Sequence, residues 1–104
     1  MNTKTKQMDL RPIAKVARKY AKKSHQVGHF SMSEGYEIVR LCWPDKIKVR
    51  FNPEAYGSSF NAYPRPESVA EGKAAIVAIA EELRQSGYEV QEIDHLVITV
   101  RNLK

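Results

Sequence analysis

Residues 47–51, Ile-Lys-Val-Arg-Phe, alternate without a break. Ile47, Val49 and Phe51 fall on one side of an extended chain, Lys48 and Arg50 on the other. Successive side chains of a strand point to opposite faces of its sheet, so this segment predicts a strand with one buried and one wet face. Residues 36–42 (YEIVRLC), just before it, are rich in β-favouring side chains. Between the two strands, Trp43-Pro44-Asp45-Lys46 places proline where a type I turn wants it, which predicts a hairpin.

A half-wet sheet needs cover on its other face, and residues 68–87 supply it. Ser68 and Glu71 read as a capping box and Gly87 as the C-terminal stop. Val69, Ile76, Ile79, Ala80 and Leu83 recur at helical spacing as the face to be buried. The tail YEVQEIDHLVITVRN returns to alternation at Leu96, Ile98 and Val100. Its parity slips between Val90 and Ile93, which predicts two short strands or one bulged strand; we read two.

The chain before the hairpin predicts another helix. Asp9 is placed as its N-cap, Pro12 lies in its first turn, and Met8 can staple against Ile13. Leu10, Ile13, Ala14, Ala17, Tyr20 and Ala21 form its apolar stripe, with Arg11, Lys15, Arg18, Lys19 and Lys22 away from it. Gly28 ends any continuation, and residues 25–35 read as a connecting loop. Residues 52–67 (NPEAYGSSFNAYPRPE) are dense in Gly, Pro, Ser and Asn, yet carry Tyr56, Phe60 and Tyr63. Either 58–63 is a short third strand that tucks Phe60 inward, or the segment displays its aromatics.

The order α-β-β-(β)-α-β-β with short connections favours antiparallel pairing. The expected fold is therefore α+β, two layers deep, with a mainly antiparallel sheet of four to five strands and two helices. Residues 1–8 read as a flexible polar arm and 9–104 as a single domain. Helix, three strands, helix is also the element order of double-stranded-RNA-binding domains. The second helix here opens SVAEGKAA, without a basic cluster, and the C-terminal strands have no place in that fold, so only the order is similar.

Charge is distributed unevenly. Of the net +5, residues 1–33 carry +7 and residues 34–104 carry −2. Such asymmetry points to an anionic partner, and Lys and Arg in a row neutralise phosphates. The expected phosphate contacts are Arg11, Lys15, Arg18, Lys19, Lys22 and Lys23, extended by Lys46, Lys48 and Arg50 on the wet face of the hairpin, with Arg40 joining them if the register allows. RNA and DNA are equally served by such a surface. A membrane surface is not expected, since the helix offers mainly alanine where an interfacial helix wants Trp, Phe or Leu. The apolar run Ala74–Ala80 is too short to span a bilayer. The alternative is a protein-interaction module, an inhibitor or adaptor, docking an acidic surface through the basic helix with Tyr56, Phe60 and Tyr63 as anchors.

Catalytic and metal chemistry find little purchase. His25 and His29 are four apart, but Gly28 lies between them, and two loop histidines are not a zinc site. The one cysteine, Cys42, at a strand end, reads as a buried, inert thiol without a base to activate it, and one cysteine suits the reducing cytoplasm. Glu81 and Glu82 face different directions on a helix, and Glu34, Glu37 and Asp45 flank turns. No phosphate-binding glycine loop, GxSxG, HExxH or CxxC is present. A non-enzymatic protein with no cofactor and no metal is expected. A homodimer stays open through the apolar strand Leu96–Val100, if that strand lies at a sheet edge.

Overall fold

The computed structural model, which describes residues 7–27, 31–56 and 63–102, carries the alternation of residues 47–51 into the centre of a four-stranded sheet. The elements in chain order are α1 (Arg11–Tyr20), β1 (Gln26–Val27), β2 (Ser31–Met32), β3 (Gly35–Arg40), β4 (Lys46–Asn52), β5 (Ala55–Tyr56), β6 (Tyr63–Pro64), α2 (Pro66–Gln85), β7 (Tyr88–Asp94) and β8 (Val97–Asn102). The main sheet is antiparallel throughout, in the order β3-β4-β8-β7. β1 with β2 and β5 with β6 form separate two-residue ladders. The expected α+β fold and its element order are borne out.

The register explains the layering. Tyr36 pairs with Phe51, Ile38 with Val49, Ile47 with Val100 and Val49 with Ile98, so the apolar members of each strand share one face. Both helices belong to the core built on that face. Ile13, Val16 and Ala17 of α1 and Ile76, Ile79, Ala80 and Leu83 of α2 meet Ile47, Val49, Ile98 and Val100. Each fully buried Ile or Leu contributes about 1.5–3 kcal/mol. α2 lies so close to the sheet that a Cβ at Gly72 would fall 2.3 Å from the Phe51 ring, which explains a glycine inside the helix.

Several sequence expectations shift by a residue or more. α2 starts at Pro66, whose fixed φ suits a first turn, so Ser68 is inside the helix instead of capping it. The Ser68 hydroxyl donates to Glu34 and accepts the Glu54 N–H at 2.7 Å, tying the helix start to the chain before β3 and after β4. Val69, expected on the buried face, is only half-buried. Met8, assigned to the flexible arm, is buried in the core and its N–H donates to the Pro44 carbonyl at 2.8 Å. The tail forms two strands as read, with the parity slip as a register shift between Glu92 and Asp94 that leaves Ile93 exposed. β8 sits between β4 and β7, so dimerisation through its edge is ruled out. Most of the segment 58–63, with Phe60, lies outside the described residues; its last residue, Tyr63, pairs with Tyr56 and not with the main sheet.

Candidate nucleic-acid interface

α1 is built as two surfaces. Ile13, Val16 and Ala17 are buried, whereas Arg11, Lys15, Arg18 and Lys19 are exposed. Val16, outside the expected stripe, takes the inward position, and Tyr20 turns out to 42% exposure. The helix stops at Tyr20, earlier than Lys22 requires, so Lys22 and Lys23 are not helical. Instead they run extended beside β3. Ser24 N–H donates to the Tyr36 carbonyl at 2.8 Å, and Tyr36 N–H to the Lys22 carbonyl at 2.9 Å. Gly35 makes this approach possible, because a Cβ there would lie 2.2 Å from the Lys22 carbonyl oxygen. The basic run therefore continues from helix into a strand-like extension pinned to the sheet edge.

Two of these six cations are neutralised within the molecule. Arg11 makes a two-pronged contact with Asp9, with Nη2 2.8 Å from Oδ2 and Nε 3.0 Å from Oδ1. That contact, aided by the Arg11 N–H, holds the Asp9 carboxyl down to about 2. Asp9 is not the N-cap as expected: Leu10 holds that position without a side-chain cap, and Asp9, one residue earlier, accepts the Arg11 N–H at 3.1 Å. Lys19 reaches Glu82 of α2 at 2.5 Å, and the Tyr20 hydroxyl donates to the other carboxylate oxygen at 2.7 Å. The Lys19 ammonium, and then the Tyr20 hydroxyl, hold Glu82 below the usual carboxylate range. The other four, Lys15, Arg18, Lys22 and Lys23, are exposed and make no ion pair among the described residues. Of these six cations, two are ion-paired and four are not, among the described residues.

The strand β4 presents a different picture. Lys46, Lys48 and Arg50 alternate with buried Ile47, Val49 and Phe51, so they lie on the sheet face turned away from both helices. They do not extend the α1 surface. Arg50 donates to Glu37 on the neighbouring strand at 2.8 Å, and this contact, with Asn52 assisting, lowers the Glu37 pKa. The Lys46 ammonium lies 5.5 Å from the centre of the Trp43 ring. Arg101, opposite Lys46 on β8, bonds Asp45 at 3.2 Å, and Glu89 is paired with Arg101 from β7. On this face, among the described residues, Arg50 and Arg101 are ion-paired and Lys46 and Lys48 are not. Arg40 does not join them. It is paired with Ile47, on the helix side, and its guanidinium donates to the Met8 carbonyl at 3.2 Å, beside the start of α1.

The remaining candidates are scattered. Tyr63 is 65% exposed, while no side-chain position is described for Tyr56 or Phe60. His25 Nδ1 lies 3.0 Å from the Ser33 hydroxyl, and His29 is outside the described residues. Cys42 is exposed, not buried, because it falls in the β3–β4 connection after β3 has ended at Arg40. His95 sits in the β7–β8 turn beside Asp94, at the opposite end of the sheet, so the two never share a pocket. Sequence reasoning missed the role of Glu82, which lies sixty-three positions from Lys19. It also treated Trp43 only as a turn residue, though an exposed Trp beside a lysine is a signal in its own right. Among the described residues no helix is long and apolar enough to cross a membrane. No known protein family, curated protein or solved structure matches this chain.

Proposed function

We propose that this is a small, non-enzymatic nucleic-acid-binding protein that grips phosphates through α1 and its extension. One observation carries the reading: Lys15, Arg18, Lys22 and Lys23 are exposed along α1 and its extension, and no ion pair among the described residues neutralises them. Cations left over in this way release condensed counterions when they meet a phosphate backbone, which drives sequence-independent binding. The sheet and α2 serve as the scaffold. Lys46, Lys48 and Arg50 fall outside this interface, on the far face of the sheet. The lone Cys42 suits work in the reducing cytoplasm.

The test is charge reversal. Lys15→Glu, Arg18→Glu, Lys22→Glu and Lys23→Glu combined should abolish retention of RNA and DNA while the circular dichroism spectrum is unchanged. Retention by this variant would end the proposal. The exposed Tyr63 favours a second reading, a protein-interaction module anchored there. Affinity purification from lysate with and without nuclease separates the two, since only nucleic-acid-mediated capture disappears on digestion.

A further inference from the structure

Trp43 is the one tryptophan of the chain and stands 59% exposed. It takes no part in the hydrophobic core. Its turn is nonetheless pinned from three directions. Lys46 N–H closes the turn onto the Trp43 carbonyl at 3.3 Å, and Asn102 N–H from β8 bonds the Asp45 carbonyl at 3.1 Å. Met8 N–H reaches the Pro44 carbonyl at 2.8 Å, three residues before α1 begins. The indole is thus displayed on a rigid support next to the head of the basic helix. Its surroundings are cationic: Lys46 lies over the ring, and Arg40 holds the Met8 carbonyl. The nearby Asp45 carboxylate is engaged by Arg101, and Asp9 by Arg11.

A large flat ring kept in water by a fixed turn, with cations around it, suits a flat ligand attached to negative charge. Stacking of a base on an aromatic ring needs an unpaired base, and it tolerates any sequence because every base has a π-face. We propose that Trp43 is a base-stacking site at the head of the α1 cation row, so that the favoured ligand is nucleic acid with unpaired bases. This rests on the nucleic-acid reading above. In it, Lys15, Arg18, Lys22 and Lys23 hold the backbone and Trp43 receives a base.

Because Trp43 is the only indole, its fluorescence reports on this site alone. The wild-type protein is titrated with a short oligo(dT), with a blunt duplex, and with inorganic polyphosphate, which has charge but no base. Oligo(dT) should quench Trp43 strongly, and polyphosphate should bind without quenching. Trp43→Ala should weaken oligo(dT) binding by about 5- to 150-fold, the factor expected for one stacked base. Polyphosphate affinity should not change, and Trp43→Phe should recover most of the loss. If oligo(dT) binds with no quenching and Trp43→Ala binds it as well as wild type, the stacking site is wrong while the phosphate reading stands. Equal quenching by polyphosphate, or capture of a protein through Trp43 that survives nuclease, also overturns it. If neither oligo(dT) nor polyphosphate binds, the nucleic-acid reading fails and takes this site with it.

Discussion

Two stretches of this chain are rich in Lys and Arg, α1 with its extension and strand β4, and their cations end in different company. In β4 each cation alternates with a core residue and sits on the sheet face turned from the helices, and one of the three, Arg50, meets a carboxylate across the strands. Glu37 reaches Arg50 and Asp45 reaches Arg101. In α1 the neighbour is α2, which offers a single bonded carboxylate, Glu82, and the extension borders β3 through backbone contacts alone. Residues with similar charge thus do different jobs. Cross-strand pairs contribute to a solvated sheet face, whereas unpaired cations clustered along α1 and its extension create a field that attracts a polyanion.

The comparison breaks first on binding. Reversing Lys15, Arg18, Lys22 and Lys23 should reduce oligonucleotide affinity by more than about 100-fold at low salt, whereas Lys48→Glu in β4 should change it by less than about 3-fold. Filter retention measures both. Next comes stability, where β4 matters more. Ile47→Ala should cost about 2–5 kcal/mol in urea unfolding, and Lys48→Ala on the opposite face within about 0.5 kcal/mol. Gly35→Ala should cost about 1–3 kcal/mol by forcing Lys22 away from β3, and it should weaken binding as the extension loses its place.

A smaller effect tests the neutralised pair. Glu82→Gln frees Lys19, so the slope of log affinity against log salt should steepen by about one unit. An unchanged slope would mean that Lys19 never competes for phosphate. The smallest effect is acid dependence. Asp9 has its folded pKa held at about 2, below the usual 3.8, so its contribution is complete above the unfolded value. That contribution is lost as pH falls through the folded one. Stability should drop over that window in the wild type, and the component should vanish in Asp9→Asn.

The fold was largely legible because its signals are local. The period of residues 47–51, the Trp43–Lys46 turn and the helical spacing of Ile76, Ile79, Ala80 and Leu83 each sit within a short window, and all three took the form expected. The end of α1 was not legible, since Lys22 continues the helical pattern and only the pairing of Lys23 with Tyr36 stops it. The site was half legible for the same reason. Position on α1 exposes Lys15 and Arg18, but whether a cation is neutralised depends on distant partners such as Glu82. The separation of the β4 row from α1 is likewise a tertiary fact. Alternation says that Lys48 faces away from Val49, yet only the packing says that the helical core, with α2 against the sheet, covers the Val49 side.

The salt dependence of binding to a DNA duplex tests the central claim most directly. With four cations of α1 and its extension unpaired among the described residues, log affinity should fall against log salt with a slope of about −3.6. Reversal of those four should remove most of that slope, and reversal of Lys48 in β4 should leave it intact. A flat salt response, or a slope that disappears with the β4 variant and survives the α1 variant, would contradict the account.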